Sequence, residues 1–428
     1  MLSPPCAAAI LTVLFAGTVT SYLDFSMCPE NRRLVENLKH STLTMLNRVR
    51  QKAAQGEYFR GSATLPKARH IQLLTWDCDL ERMAEQAVEN CPQTETPNSL
   101  YAQSFMHARV SGRFDEQDTI LPVQNPTEDA KLGFIIEGNA VMYNGFPTFK
   151  NYSNLLRANT TRVGCSSTNC YNEQNALVQT GVCFFNSPEM KKGDAAYEAG
   201  TPCQLNSDCP AEDDICWNLA LCYRNKIARK ALDLHNELRS DLAMGRVKNK
   251  AGTNYPTAAV MYRLDYDLDL EQAALDEAKK WNFVRSGRGA ATAILGGAAW
   301  TNRAVVMPSD ATSKLEALEW AINKWWAGSG TVGNSEMNDL FAQKHFNDSV
   351  VEFAQMANGD NSLLGCAVVE YNSKYNVVCQ YKIKSYSGTP NKRVAFYERG
   401  KPCSKPCYSY STLSCSEGLC PTTGTQSL

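Results

Sequence analysis

The segment YEAGTPC, residues 197–203, has a second copy two hundred residues later, where residues 397–403 read YERGKPC. Each copy opens a stretch of four cysteines: Cys203, Cys209, Cys216 and Cys222 in the first, and Cys403, Cys407, Cys415 and Cys420 in the second. A repeat that closes each half of a 428-residue chain predicts one domain written twice, each copy finished by a small cysteine-rich module. The first module is then also the hinge between the halves.

Composition excludes two classes of partner. Hydrophobic residues make up 43% of the chain and charged residues 20%, and the formal net charge is −1. This balance creates no field that would attract nucleic acid or an anionic membrane surface, so we expect neither partner. No run of eighteen apolar residues follows the N-terminal region, and we therefore expect no membrane insertion.

The first twenty-one residues read MLSPPCAAAILTVLFAGTVTS and contain an apolar run at residues 7–17. The run is too short to cross a bilayer and is followed by small residues that suit cleavage. We predict a signal peptide at residues 1–21 and a secreted, extracellular protein. The remaining divisions are a first domain at 22–195, a hinge at 196–223, a second domain at 224–395 and a cysteine-rich tail at 396–428.

Cysteine usage agrees with export. The chain has 17 cysteines, and removal of Cys6 with the signal peptide leaves an even set, which in an exported protein indicates disulfides. Each four-cysteine module allows three pairings, and the sequence does not choose among them. A zinc knuckle is the rival interpretation, but the modules lack paired C-x2-C spacings and histidine. The predicted disulfide set is Cys28, Cys78, Cys91, Cys165, Cys170, Cys183, Cys203, Cys209, Cys216, Cys222, Cys366, Cys379, Cys403, Cys407, Cys415 and Cys420.

Hydrophobic periodicity predicts matching helices in the two halves. Apolar stripes run along residues 33–54 and 226–243, and a second helix starts from an Asp-rich cap after Trp76 and again after Leu264. In this alignment Cys78 is matched by Tyr266. A third helix is clearest around residues 315–325.

Strands are predicted near the end of each half, at residues 174–185, 366–371 and 375–383, and the last two form a hairpin. Residues 92–126 and 286–308 are predicted to be long loops. Helices followed by an antiparallel pair indicate an α+β fold in which helices pack on a sheet.

Several motifs carry a resemblance to a known family. The stretch His235-Asn236-Glu237-Leu238-Arg239 resembles the first-helix HNxxR motif of the CAP superfamily, and residues 46–50 repeat it without the histidine. Residues 151–165 resemble the family signature GHYTQxVWxxTxxxGC, and residues 352–366 resemble it more weakly. The chain is identified as a member of this superfamily of cysteine-rich secretory, antigen 5 and pathogenesis-related proteins. Two domains in tandem are similar to the activation-associated secreted, or venom allergen-like, proteins of nematodes.

The resemblance implies a fold and a site. Each domain is expected to be an α-β-α sandwich with a central antiparallel sheet, followed by a small disulfide-rich module. CAP domains have a groove with two His and two Glu that can hold a divalent metal, which is a sensible zinc set. This chain departs from it: the signature His is Asn151 in half one and Glu352 in half two, and the Gly-Glu-Asn-Leu motif is matched by residues 97–100, with Asn98, and by 296–299.

The degenerate groove positions are Asn151, Asn98 and Glu352. Because the family's ligands are replaced there, we predict no catalytic residues, no bound metal and no cofactor. HExxH and GxSxG motifs are absent from the sequence as well. His345 lies seven residues before Glu352 and leaves a degenerate site open as an alternative, whereas His235 is expected to have a structural role. Glycosylation is predicted at Asn151, Asn159 and Asn347, and a glycan on Asn151 would partly fill the first groove.

Three functions compete at this stage. The leading hypothesis is a secreted, non-enzymatic protein that recognises an extracellular protein partner at a host–parasite interface, since long loops on a rigid scaffold are where recognition usually lies. The alternative is a lipid or sterol carrier whose crevice is lined by Phe105, Met106, Phe114 or the Trp325-Trp326 pair. A metal-dependent enzyme is the third, and the missing ligands count against it.

Overall fold

The computed structural model describes residue 28 and residues 36–57, 65–109, 130–280, 300–334, 348–383, 396–407 and 414–422. The predicted signal peptide, Phe114, His345 and Asn347 lie outside these ranges. Within them, the longest helices are too polar or too short to cross a bilayer.

The first half and the hinge contain four helices and ten strands among the described residues. In chain order they are α1 Glu36–Ala54, β1 Ala68–Arg69, β2 Thr75–Trp76, α2 Cys78–Val88, β3 Ala102–Arg109, α3 Ala130–Gly133, β4 Phe134–Glu137, β5 Ala140–Tyr143, α4 Lys150–Leu156, β6 Arg162–Tyr171, β7 Leu177–Phe185 and β8 Ala195–Ala199, with β9 Asp214–Trp217 and β10 Leu221–Arg224 in the hinge.

The described elements of the second half are α5 Lys226–Ala243, β11 Ala258–Val260, β12 Asp265–Tyr266, α6 Leu268–Ala278, β13 Trp300–Val306, α7 Lys314–Trp326, α8 Asp348–Ala357, β14 Asn361–Tyr371, β15 Lys374–Ile383 and β16 Glu398–Arg399. Among the described residues, the second half repeats the opening helix, the two short strands, the second helix and the central hairpin, but it has helix α7 where the first half has the β4–β5 hairpin.

The two central sheets have the same topology. The strand order is β2-β6-β7-β3 in the first half and β12-β14-β15-β13 in the second. All neighbours are antiparallel except the short edge strands β2 and β12, which run parallel to β6 and β14. The α+β prediction of two tandem domains built on a mainly antiparallel sheet is confirmed.

The caps of the second helices fix the alignment of the two halves. Asp77 accepts hydrogen bonds from the amides of Asp79 and Leu80, and Asp267 accepts one from the amide of Leu270. Each carboxylate satisfies donors that the first helical turn cannot use. Because the two caps are equivalent, Cys78 is matched by Leu268, and the match of Cys78 with Tyr266 is wrong.

Buried arginines of the first-helix motif connect each opening helix to its domain. The Arg50 guanidinium donates to the backbone carbonyls of Gln72, Leu155 and Thr160 among others. In the second half, the Arg239 guanidinium donates to the carbonyls of Tyr262 and Met356. Both arginines are fully buried, so the motif has a structural role in both halves.

Two predicted loops contain strands instead. Strand β3 lies inside residues 92–126 and β13 inside residues 286–308, and both pair antiparallel along the central hairpin of their sheet. These loop predictions are wrong for the described parts. The reason is that Gln103, Ser104 and Asn302 are buried polar residues, which interrupt the apolar pattern expected of a strand.

The cysteine-rich modules have the same pairing. Disulfides join Cys203 to Cys216 and Cys209 to Cys222 in the hinge, and the tail repeats the pattern of first to third and second to fourth. Each module docks on its own domain through one parallel bridge, Gln72 to Cys222 and Tyr262 to Cys420. The remaining disulfides are Cys28–Cys78, Cys91–Cys170, Cys165–Cys183 and Cys366–Cys379.

Candidate functional site: the two grooves

The first groove position lies at the start of helix α4. A short 3₁₀ turn, Pro147–Phe149, leads into the helix and places Asn151 in its first turn. Asn151 is half-buried, and its Nδ2 donates to the backbone oxygen of Phe105 on β3 over 3.4 Å. The side chain therefore links the helix to the sheet where the family signature has histidine.

A lysine next to this position carries the local positive charge. The Lys150 ammonium pairs with Glu95 and, over 3.2 Å, with Glu189. Partial burial alone would lower the pKa of Lys150, but the two carboxylates outweigh that effect and raise the pKa above its usual value. The carboxylates of Glu95 and Glu189 are therefore already neutralised by the Lys150 ammonium group.

Asn98 serves its own loop. Its Oδ1 accepts hydrogen bonds from the amides of Leu100 and Tyr101, both at 2.9 Å, and so closes a turn in front of β3. Gln103 on β3 donates a hydrogen bond to the carbonyl of Thr96 and so ties this loop to the strand. The structure thus gives Asn98 the role of a turn residue and places it in no polar cluster with Asn151.

The second groove position is enclosed. Glu352 on α8 is fully buried, and its backbone oxygen accepts a hydrogen bond of 3.0 Å from Nδ2 of Asn302. Asn302 Nδ2 also lies 3.2 Å from the hydroxyl of Tyr381. A side chain shut off from solvent in this way cannot reach a substrate.

His235 continues this chain of polar contacts. Its Nδ1 lies 2.7 Å from the carbonyl oxygen of Ala231, so Nδ1 carries the proton, and Nε2 accepts from the Tyr381 hydroxyl over 2.9 Å. Complete burial, with a smaller contribution from the charge of Arg239, lowers the pKa of His235 to about 4. His235 is therefore neutral at physiological pH and is held by contacts on both ring nitrogens.

The first half replaces this polar pair with apolar side chains. Leu46 stands where the motif has His235, and the strand register places Phe185 where the second half has Tyr381. Both are buried in one apolar cluster. The same position between the opening helix and the central sheet is therefore filled by a hydrogen-bonded pair in the second half and by an apolar pair in the first.

The metal set that the resemblance implies does not fit these residues. In the described ranges, ligand-type side chains come within 4.8 Å of one another in groups of three only at Cys203, Cys209 and Cys222 and at Cys407, Cys415 and Cys420. All six sulfurs are in disulfides. In the first groove the ligand position holds an amide beside an ammonium group, which is a poor donor set for zinc.

Sequence reasoning missed a buried carboxylate in each half. Glu81 on α2 pairs with Lys39 over 2.8 Å and accepts a hydrogen bond from the indole of Trp76. At the equivalent place on α6, Glu271 accepts from the Tyr223 hydroxyl over 2.9 Å and from Asn225 Nδ2 over 3.1 Å. The repeated sequences DCDLE and DLDLE were the available signal.

The two carboxylates differ in their counter-charge. The position of Lys39 is taken in the second half by Ala228, because the shared Asn and Arg of the first-helix motif fix that alignment. Burial raises the pKa of Glu271 to about 7, against hydrogen bonds that lower it. Tyr223 is the last residue of the hinge and Asn225 caps helix α5, so Glu271 also joins the hinge to the second domain.

The residues proposed for a lipid crevice have different environments. Trp325 is fully buried, and Trp326 packs edge-on against Phe353 with ring centres 5.0 Å apart, so both fill the second core. Phe105 and Met106 are half-buried on β3. The acceptor Asn159 lies on an exposed turn, which suits a glycan better than the half-buried Asn151 does.

Exposed apolar side chains gather at one hairpin of the first half. Leu132, Ile135, Ile136 and Phe146 are 47%, 38%, 57% and 39% exposed. Strand β4, which carries the two isoleucines, is the last strand of the described sheet β1-β8-β5-β4. Ile135 and Ile136 are successive residues and therefore lie on opposite faces of this strand. Exposed apolar side chains of this kind are typical of a surface that contacts another molecule.

Comparison with known proteins agrees with the two-domain organisation. The family model described as "CAP: Cysteine-rich secretory protein family" matches residues 43–185 and 232–381. The Ancylostoma secreted protein of Ancylostoma caninum is 26% identical over 438 residues, covering 98% of this chain and 99% of that protein. Hookworm platelet inhibitor 1 of the same organism is 22% identical over 218 residues, covering 50% of this chain and 96% of that protein. The crystal structure of Na-ASP-1 aligns over 92% of this chain and 99% of that one, with 24% identity and a TM-score of 0.39.

Proposed function

Since the chain belongs to the CAP family of cysteine-rich secretory proteins, with one family domain in each half, we propose that it is a secreted, non-enzymatic protein that recognises an extracellular partner protein at a host–parasite interface. The observation that carries the proposal is the exposed apolar hairpin around Ile135 and Ile136, in a molecule whose groove residues Asn151 and His235 form internal hydrogen bonds and whose Glu352 is fully buried.

The state of the grooves supports a non-enzymatic role. A general acid or base must reach the reacting atom and titrate near the working pH. His235 meets neither condition, because it is fully buried and both ring nitrogens are engaged. In the first groove, Asn151 has no acid–base capacity and Lys150 is neutralised by Glu95 and Glu189.

The disulfides support an extracellular site of action. Eight cross-links within one chain persist in oxidising compartments and are rare in the cytosol. The relative that spans almost the whole chain is itself named as a secreted protein. A rigid cross-linked scaffold also lowers the entropy cost of presenting a surface to a partner.

The hairpin offers the kind of surface that partner proteins bury. Aliphatic and aromatic side chains dominate the centres of protein interfaces, and Ile135 and Ile136 on β4 provide two of them, with Phe146 in the segment that follows β5. One relative is named as a platelet inhibitor, which identifies platelets as a host cell on which to test recognition.

The test is binding of the labelled, secreted protein to intact platelets, measured by flow cytometry. We expect saturable binding that falls at least about tenfold in Ile136→Asp, because a charge in the centre of an apolar contact is costly. Tyr171→Asp is the matched control, since Tyr171 is exposed on the central sheet of the same half and should leave binding unchanged. Binding that is absent, or that Ile136→Asp does not alter, would contradict this proposal.

A further inference from the structure

A cleft of about 700 Å³ runs along the outer face of helix α5. The hinge contributes residues 204–207, 215–216 and 218–219 to the lining. The opposite wall is the segment 263–266, which carries both Arg263 and Asp265, and the C-terminal module closes one end with Glu417, Leu419 and Thr422. Its size lies within the range of ligand sites, roughly 300–1,000 Å³. The cleft exists because the hinge of one domain is placed against the opening helix of the next.

An acidic ridge forms one side of this cleft. Asp233, Glu237 and Asp241 lie at every fourth position of α5, and all three line the cleft. Residues four apart lie on one helix face with a rise of about 6 Å between them. Asp233 pairs with Arg229 and Asp241 with Arg246, whereas the exposed Glu237 between them has no ion-pair partner among the described residues.

The ridge is a property of the second half alone. The shared Asn and Arg of the first-helix motif align the three acids with Thr44, Arg48 and Lys52 of α1. The same face of the same helix is therefore basic in the first domain and acidic in the second. The two copies therefore present opposite charges to solvent on this helix face.

The far end of the cleft holds a polar group that needs a partner. Thr422 lines the cleft and is 6% exposed, and its Oγ1 has no hydrogen-bond partner within the described ranges. A buried hydroxyl in that state costs free energy unless a ligand or water satisfies it. At the hinge end, Leu205 is 50% exposed and adds an apolar edge.

We propose that this cleft binds an extended basic segment of a partner protein. The inference rests on the proposed function of protein recognition and names the chemistry of one contact. Alternate residues of an extended strand are about 6.6 Å apart, which matches the spacing of about 6 Å along the acidic ridge. The central lysine of such a segment can therefore face the unpaired Glu237, and its alternate neighbours lie over the Asp233–Arg229 and Asp241–Arg246 pairs. The chain of the ligand then passes Leu205 and reaches Thr422.

The test uses the full secreted protein and a fluorescein-labelled peptide, Lys-Ser-Lys-Ser-Lys, in a fluorescence-anisotropy titration at low salt. We expect saturable one-to-one binding that weakens as salt is added, with no binding of Glu-Ser-Glu-Ser-Glu. Glu237→Gln should weaken binding about threefold, and Glu237→Lys by about tenfold or more. Because Glu237 is exposed and unpaired within the described ranges, both variants should keep the wild-type melting temperature.

Glu173→Gln is the matched control, since it removes an exposed acid from the distant β6–β7 turn of the first half. If Glu173→Gln weakens binding as much as Glu237→Gln, the peptide is attracted by the overall charge of the protein and not by the cleft, and the cleft proposal is wrong. Equal affinity of wild type and Glu237→Lys would also overturn it. The two proposals are tested separately. Platelet binding that is kept in Glu237→Lys and lost in Ile136→Asp would support the proposed function, whereas the peptide titration alone tests whether the cleft binds a basic segment.

Discussion

At the residue scale, equivalent buried carboxylates of the two halves have different partners: one is paired with a charged group and the other with neutral donors. Glu81 has the Lys39 ammonium as its partner, whereas Glu271 has the neutral donors Tyr223 and Asn225. Tyr266 on β12 is a further ionisable group that hydrogen-bonds with Glu271. A buried carboxylate without a counter-charge prefers its protonated form.

This difference predicts a pH dependence. The pKa of Glu271 is about 7 in the folded protein and near 4.5 when unfolded, so the folded state binds the extra proton and stability is lost as pH rises from 4.5 to 7. We expect Glu271→Gln to be more stable than wild type at pH 8, by up to roughly 3 kcal/mol, and to lose that advantage at pH 4. Urea denaturation of both proteins from pH 4 to 8 measures the difference.

Glu81→Gln is the internal control for that experiment. It removes the carboxylate from a pair in which Lys39 and Glu81 are 1% and 0% exposed, so it should destabilise the protein at pH 8 instead. A gain of stability in Glu81→Gln, or none in Glu271→Gln, would show that the two carboxylates are not distinguished by their counter-charges.

A second residue-scale prediction concerns His235 and Tyr381. His235→Leu alone leaves the Tyr381 hydroxyl without its acceptor and should cost about 2 kcal/mol, while His235→Leu with Tyr381→Phe, the pair present in the first half, should recover most of that loss. The folded pKa of about 4 lies below the unfolded value, so wild-type stability falls as pH drops from 6.5 to 4, and the double variant should lack this fall. Additive losses in a double-mutant cycle would contradict the coupling.

The sequence could predict only part of this residue-scale detail. The motifs around His235, Asn151 and Glu352 are visible, and a structural role for His235 followed from its place in the first-helix motif. The partners are not visible, because Tyr381 lies 146 residues from His235 and Lys39 lies on a different helix from Glu81. Pairings across such distances depend on the packed fold, which local patterns do not encode.

At the element scale, a glycine sets the distance between helix and sheet in each half. A Cβ on Gly164 would lie 2.1 Å from the Glu81 nitrogen, and one on Gly365 would lie 2.2 Å from the Glu271 nitrogen. The second helix can therefore approach the central sheet closely only because this strand position has no side chain.

Gly365→Ala tests this contact. The added methyl group meets helix backbone that cannot rotate away, so we expect a loss of about 3 kcal/mol or more in the free energy of unfolding. Gly330→Ala is the control, because a Cβ there meets nothing within 4 Å and the change should be close to neutral. Equal melting temperatures for the two variants would refute the close approach.

Element prediction from sequence succeeded where one face is apolar. Helices α5 and α7 and strand β15 follow the predicted ranges closely, whereas β14 begins at residue 361 and not at the predicted residue 366. Strands β3 and β13 were missed because they bury polar residues such as Gln103 and Asn302, whose amide nitrogens donate hydrogen bonds inside the fold, and such residues make the sequence resemble a polar loop.

At the scale of the whole molecule, the tandem arrangement adds contacts that neither domain has alone. The hinge docks on the first domain through Gln72 and Cys222 and on the second through Tyr223 and Glu271. The repeat YEAGTPC predicted the two modules, but the α5 cleft between them depends on how the hinge packs against the second domain.

The central claim is that the protein acts by recognition and has no groove chemistry. Native mass spectrometry tests it most directly, on the secreted, deglycosylated protein after incubation with excess zinc and exchange into volatile buffer. We predict the mass of the bare polypeptide with eight disulfides. A stoichiometric zinc ion or lipid retained on each chain would contradict the claim and would place the activity in a groove or crevice.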